Sequence, residues 1–565
     1  MLSLAFGFVA LTATAHLAPP DSITIQFDAR IPMRDGVTLA ADIYRPANPG
    51  RYPVVLMRTP YNKNGDAILK EARAFAGRGY VYVAVDVRGR GDSDGDWRPY
   101  FFEGDDGYDA IEWCASQSWS TGKIGTIGRS YVGYNQWVAA VRKPPHLAAI
   151  IALAPMADPF EDVWITGPGG VPTPTMISWY HLTARNVMQN MDAVDWDRLN
   201  WHLPLLTMDE AAGRGPNPRW RDMITHSTRD AWWDPLRYQN QFDKVDVPAL
   251  HITGWYDDTQ RATPMNYVGM RTRGATPETR DRQKLVIGPW PHAINSTRKL
   301  GRLDFGPTAV IDLFQLQVDW FDRWLKGKAP AKPDPRVHLF AMQTNRWFTA
   351  DDWPIPSTVF TKHYLRATGR LTTTAPGDDP PDRYRYDPAN PTPFLTEPSF
   401  AQLGGPDDYA KAALRKDLLN YTTARFTKPA LLCGPISARI FAASSAVDTD
   451  FMVKLLDVWP NGYIQRLNDG MVRARFRNGW ERPELLEPGK VYQYDIDVWS
   501  TCQTILPGHR LRVEVASAAF PKFDRNPNTG EAIGMSARIQ AADQTIYHDR
   551  ERPSYVVLPF VPPQR

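Results

Sequence analysis

The chain has 565 residues, 43% of them hydrophobic and 22% charged, and its 65 basic against 62 acidic side chains leave a net charge of +3. Such a balance carries no nucleic-acid signature and no polybasic membrane-surface signature. The length exceeds what one hydrophobic core supports, so two or three domains are expected, and 20 Trp with 50 Pro predict ring-walled pockets joined by irregular connections.

Leu2 to Ala15 is an uncharged apolar run ending Ala13-Thr14-Ala15. It reads as a secretory signal over residues 1–20 and is too short to span a bilayer. No Lys or Arg precedes it, the first being Arg30, so a secreted or periplasmic location is expected with a cytoplasmic one as the alternative. No other stretch is apolar enough for a membrane span.

From residue 21 to 157 β-rich runs alternate with amphipathic segments, as an α/β sheet requires. Strands are expected at Tyr52 to Arg58, Tyr80 to Val87, Lys123 to Ile127 and Ala148 to Ala154, with a helix over Asp105 to Gln117. The rhythm breaks over 158–239, rich in Trp, Met and Pro, which reads as an inserted helical cap. It resumes over 240–330 with strands Pro248 to Thr253 and Lys284 to Ile287, and a helix Ile311 to Leu325 whose Phe314, Val318, Phe321 and Leu325 share one stripe. The Pro-rich Ala329 to Pro335 closes that domain near 330. Residues 331–565 alternate in short strands punctuated by turn dipeptides such as Asn461-Gly462, the pattern of a sandwich or jelly roll.

Cys114, Cys433 and Cys502 are spaced too widely for a zinc ribbon or a redox pair, and no HExxH occurs. Three buried free thiols are expected, a single disulfide being the alternative. No metal or cofactor is called for.

Two turns compete as a nucleophile elbow. Gly91-Asp92-Ser93-Asp94-Gly95 matches G-x-S-x-G letter for letter, whereas Gly128-Arg129-Ser130-Tyr131-Val132-Gly133 has its second glycine one residue late. The chemistry needs a strand, a strained turn that lifts the hydroxyl clear, and a helix whose first amides face the developing oxyanion. Ser130 has that context, between a strand ending at Ile127 and a helix predicted over Val132 to Val141. Ser93 is followed by Asp94, Gly95 and Asp96, and its flanking charges mark a solvated loop residue. A serine nucleophile also needs a base and an orienting acid, in the order Ser, Asp, His at strand ends. Pro248 to Thr253 runs into Gly254-Trp255-Tyr256-Asp257-Asp258, and Lys284 to Ile287 into Gly288-Pro289-Trp290-Pro291-His292. His292 is the candidate base, and Asp257 is preferred to Asp258. His251 lies inside a strand and reads as core.

These motifs, with Tyr61 in Arg58-Thr59-Pro60-Tyr61-Asn62-Lys63 and the Arg-Gly loop Asp86 to Gly95, together resemble the CocE/NonD family of serine hydrolases, the cocaine esterase and X-Pro dipeptidyl-peptidase group. The resemblance covers nearly the whole chain. It implies an α/β-hydrolase domain with an inserted helical cap and a C-terminal all-β jelly roll. It also implies a triad of Ser130, Asp257 and His292, and an oxyanion hole made by the Tyr61 hydroxyl and the Tyr131 backbone N–H.

The reaction expected is two-step acyl transfer on a small-molecule or peptide substrate. Trp164, Trp179, Trp196, Trp201, Trp232 and Trp233 of the cap are candidates to wall an acyl pocket. Relatives that act on α-amino acid esters carry acidic residues just after the catalytic Asp, where this chain has Thr259 and Gln260, leaving Asp258 alone to grip an ammonium. Carboxylester hydrolysis of an apolar or aromatic acyl group therefore ranks first, with X-Pro dipeptide release or an acylase next. A non-catalytic binding protein on the same scaffold is the reading from another class.

Overall fold

The computed structural model describes residues 22–160, 162, 170–330, 332–395 and 405–563. The signal-like residues 1–20 and Trp164 lie outside the described residues.

The first sheet has ten strands: β1 Ile23–Pro32, β2 Thr38–Pro46, β3 Tyr52–Thr59, β4 Val81–Asp86, β5 Ser120–Arg129, β6 Leu147–Leu153, β7 Ala249–Tyr256, β8 Gln283–Pro291, β9 Val337–Ala341 and β10 Arg346–Ala350. Their order is β1-β2-β4-β3-β5-β6-β7-β8-β9-β10. The run from β4 to β9 is parallel and both edges are antiparallel. Parallel strands are covered on both faces, which is why β4, β7 and β8 are buried at every position.

Helices α1 Asp66–Gly77, α2 Glu103–Ser116 and α3 Tyr131–Ala140 belong to this layer, and the cap contributes α4 Ile177–Leu182 and α5 Pro218–Thr225 among short helical turns. Two more, α6 Ala262–Arg273 and α7 Leu313–Lys326, follow β7 and β8. The α2 and α3 side chains join the cap in one core, while α1 and α7 pack together on the opposite face, Phe75 against Phe314 and Phe321. Asp312 caps α7 by accepting from the Gln315 N–H at 3.0 Å, and Gly327 ends it in the left-handed conformation at φ 70°.

Two expectations are corrected. The α/β sheet does not close near 330: Pro-rich residues after α7 are a connection that leads into β9, which pairs with β8 in parallel, and β10 follows at the edge. Nor are all three cysteines free thiols. Cys433 and Cys502 face each other across an antiparallel pair and form a disulfide, while Cys114 is free and buried. Strand pairing, which spacing along the chain does not reveal, brings residues 69 apart into register.

The C-terminal part holds an eleven-stranded, largely antiparallel β assembly running from Val359–Arg366 to Tyr555–Val561. Its long strand Tyr492–Ile505 passes beside the loop that follows β7. There the Gln260 side-chain amide donates to the Ser500 carbonyl at 2.8 Å and accepts from the Ser500 N–H at 3.1 Å, and Arg261 pairs with Asp497 at 2.8 Å. The two domains therefore meet immediately after Asp257 and Asp258.

Candidate active site

Ser130 sits between β5 and α3 with φ 62° and ψ −125°, a strained conformation for a residue with a side chain. The late glycine spacing has a packing cause. A Cβ on Gly128 would lie 2.0 Å from Val132 Cγ1, and one on Gly133 would lie 2.9 Å from the Leu153 carbonyl of β6. Both positions must lack a side chain for α3 to press onto the sheet directly behind the turn. Ser93 is corrected here: it is 5% exposed, donating to the Asp86 carbonyl at 2.6 Å and accepting from the Ala40 N–H at 2.8 Å, so its hydroxyl serves the fold.

Tyr131 opens α3, where the first backbone N–H groups have no partner within the helix. Its phenol is anchored below, donating to Glu103 at 2.8 Å, and Glu103 in turn pairs with Arg58 at 2.7 Å. Asn135 extends the lattice by donating to the Arg58 carbonyl at 2.7 Å. No local motif flags Glu103 or Asn135 as supports of the turn.

Tyr61 follows β3, and its oxygen accepts from the Trp179 indole N–H at 3.0 Å. Its own proton is thereby left to point elsewhere, and the Ser130 side chain is within hydrogen-bonding influence of the phenol. Burial raises the Tyr61 pKa, so the group stays a neutral donor.

Asp257 is 3% exposed and fully engaged. One oxygen accepts from His292 Nδ1 at 2.8 Å and from the Thr259 N–H and hydroxyl, each at 3.0 Å; the other accepts from the Thr253 hydroxyl at 2.6 Å. Burial opposes its charge, but the imidazole and these hydrogen bonds outweigh that and hold its pKa below the usual value. Asp258 Oδ1 lies 3.2 Å from the same ring nitrogen. Burial, reinforced by neighbouring Asp257, pushes Asp258 up to about 6. For His292 burial lowers the pKa, while Asp258 and Asp257 raise it to a net value above normal. Ligand atoms of Asp257, Asp258 and His292 lie within 4.8 Å of one another, close enough for a metal ion, but Asp257 already spends its lone pairs on four donors.

Ser130, Tyr61, Tyr131, Trp179, Asp258 and His292 line one cavity of about 590 Å³. No direct Ser130–His292 hydrogen bond is formed among the described residues, a bond that commonly tightens only with substrate in place. Trp179 is the one described cap tryptophan on this wall. Trp233 is fully buried, Trp232 stacks on His226, Trp196 donates to the Met191 carbonyl, and Trp201 packs on Phe520 of the β domain. His251 is core, bonded to Gln283 at 3.0 Å and stacked on Trp137.

Comparison with known proteins agrees with this architecture. Residues 35–294 match the X-Pro dipeptidyl-peptidase (S15 family) model, and residues 330–557 match the X-Pro dipeptidyl-peptidase C-terminal non-catalytic domain. The chain is 35% identical to the cocaine esterase of Rhodococcus sp. (strain MB1 Bresler), over 95% of this chain and 99% of that protein. Among solved structures it is similar to an aminopeptidase from a marine sediment archaeon, Thaumarchaeota archaeon, with TM-score 0.86, 27% identity, and 98% and 99% of the two chains covered. An α-amino acid ester hydrolase is similar to the same extent, with TM-score 0.85, 27% identity and the same coverage. No helix among the described residues is long and apolar enough to cross a membrane. The chain belongs to the X-Pro dipeptidyl-peptidase (S15) family of serine hydrolases, in its CocE/NonD group with cocaine esterase.

Proposed function

We propose that this serine hydrolase cleaves carboxylic esters through an acyl-enzyme on Ser130. The observation that carries the reading is the Asp257–His292 pair opening, through the ring's other nitrogen, onto the cavity that holds the strained Ser130 turn and the Tyr61 phenol. His292, held in one tautomer by Asp257, takes the Ser130 proton as Oγ adds to the ester carbonyl. The carbonyl oxygen becomes an anion bound by the Tyr61 hydroxyl and the Tyr131 N–H. The C–O bond to the leaving alcohol then breaks, with His292 returning the proton to it. Water repeats the sequence and frees the acid.

Met57, Met156, Met176, Leu182, Met188 and Ile294 are among the side chains that make the wall apolar, with the rings of Tyr100 and Trp179. That lining supports an apolar or aromatic acyl group. Gln260 supports the same ranking, because its amide both donates to and accepts from Ser500, which a carboxylate cannot do. X-Pro dipeptide release is the second reading, favoured by the family match and by Asp258 facing the cavity as an ammonium partner. The Cys433–Cys502 disulfide supports an exported protein, since such bonds persist in oxidising compartments.

The test is a panel of p-nitrophenyl esters, amino acid esters and Gly-Pro-p-nitroanilide on wild type and Ser130→Ala, with fluorophosphonate labelling. Esters are expected to be the better substrates, with label on Ser130. A Ser130→Ala protein that kept most of its ester turnover would overturn the mechanism, and preference for the anilide would overturn the ranking.

A further inference from the structure

Arg129, the residue before Ser130, lines the active cavity and is exposed. Among the described residues it forms no ion pair, although its charge reaches Tyr61, Glu71 and His292. A guanidinium one residue from the reacting serine, uncompensated and facing the substrate space, costs the site something: its field disfavours the protonated His292 that catalysis needs. The cavity also carries Asp66, Glu71 and Asp258, but Arg129 pairs with none of them among the described residues, which leaves its guanidinium open to a counter-charge on the substrate.

None of the carboxylates on the same wall forms an ion pair with Arg129 among the described residues. Asp66 is exposed in the first turn of α1, where it serves the helix terminus. Asp258 is in contact with His292. Glu71, on α1, is pushed up to about 7 by burial, with Tyr82 and Arg129 acting the other way, so it is largely neutral below that pH and only above it shares the field of the guanidinium. Opposite them, α7 packs on β5 and β6 and brings Gln317 to the cavity. Gln317 is 7% exposed, and its amide forms no hydrogen bond among the described residues. Its polar atoms are not sealed from the cavity, so an anionic ligand there can accept from the amide N–H donors together with the guanidinium.

We propose that Arg129, with the Gln317 amide on the same cavity, recognises a carboxylate carried by the substrate, so that the enzyme selects monoanionic esters over neutral ones of the same shape. This rests on the Ser130 reading above and narrows its substrate class. Guanidinium fits the group because its planar donors meet a carboxylate with two parallel bonds, which a lysine cannot do.

The experiment compares matched pairs of esters at one pH. In one pair the anion is in the acyl half, p-nitrophenyl hydrogen adipate against its methyl ester; in the other it is in the leaving half, 4-carboxyphenyl butyrate against its methyl ester. The readout is the ratio of kcat/KM for the anionic ester to that for the neutral one. For the pair whose carboxylate reaches Arg129, Arg129→Met is expected to lower this ratio about 10- to 100-fold, the range of a charge-assisted hydrogen bond. Arg129→Lys restores part of it, Arg129→Glu lowers it further, and the pair that responds identifies which half carries the anion. In wild type the same ratio falls as salt rises from about 0.02 to about 0.5 M, a measurement that needs no variant to fold. Ratios that do not respond to Arg129→Met or to salt in either pair overturn the inference. Ser130→Ala, run on the neutral esters, separately tests the mechanism it rests on.

Discussion

Replacing Asp258 by Asn leaves the shape of the site and removes one of the two negative charges that act on the His292 ring. Asp258 Oδ1 is 3.2 Å from Nδ1, while the shorter contact of 2.8 Å is made by Asp257. Unit charges at that separation and an effective dielectric of about 20 interact by about 5 kcal/mol, an upper bound before relaxation, and neighbouring carboxylates move a pKa by about 1–3 pH units in practice. Asp258 is pushed up to about 6, below the raised His292 value, so it is mostly charged where the ring begins to protonate; Asp257 stays on the ring in the variant and sustains part of the shift, so the lower end of that range applies. The sign follows from which form the charge favours. A carboxylate stabilises the imidazolium, so losing it lowers the His292 pKa and extends the neutral, basic form to lower pH. The acid limb of kcat/KM for a neutral p-nitrophenyl ester should therefore move down by about 1 pH unit in Asp258→Asn. One pH unit below the wild-type midpoint, the variant would retain about fivefold more of its own plateau rate than wild type does. An acid limb that stays put, or moves up, would refute the argument that Asp258 acts on the ring through its charge.

Three other perturbations probe the supports. Tyr61→Phe should cost about 100- to 1,000-fold in kcat on esters, as loss of one oxyanion donor does; because Trp179 acts through the Tyr61 oxygen, adding Trp179→Phe should cost little more, a non-additivity read from a double-mutant cycle. Gly133→Ala places a methyl 2.9 Å from the Leu153 carbonyl and should destabilise by about 1–3 kcal/mol while displacing the turn, seen as a lowered thermal midpoint together with slower fluorophosphonate labelling. A Cys433→Ala/Cys502→Ala double variant opens a loop of 69 residues and should lose about 4 kcal/mol in the chain-entropy account, measured by denaturant unfolding of the β domain.

The elbow was legible in the sequence because strand, turn and helix are contiguous there, and context outweighed the letter match at Ser93. The same reading misjudged the surroundings of Ser93. Flanking aspartates describe the loop's exterior, whereas the hydroxyl turns inward to β2 and the end of β4, a choice made by tertiary packing. Distance along the chain sets the other limit. Trp179 meets Tyr61 across 118 residues and Gln260 meets Ser500 across 240, and no periodicity encodes such pairs. Edge strands are similarly opaque: β9 and β10 beyond residue 330 are defined by whom they pair with, and a Pro-rich approach read on its own as the end of a domain.

The long-range contacts also assign a purpose to the β domain. Asp257 is held by Thr253 and Thr259 from within its own segment, but the segment is fixed from outside on both sides of the aspartate, before it through Tyr256, whose hydroxyl accepts from Gln465 at 2.8 Å, and after it through Gln260 to Ser500 and Arg261 to Asp497. Ser500 lies two residues before Cys502 on the strand Tyr492–Ile505, so the disulfide ties down the strand that clamps the loop. The orientation of His292 thus depends on a chain of contacts that begins in the other domain. A carboxylate at position 260 would break the reciprocal amide bond to Ser500, which gives a structural reason why this chain carries Gln260 beside its acids and why substrate charge is better read from Arg129 than from an ammonium pocket.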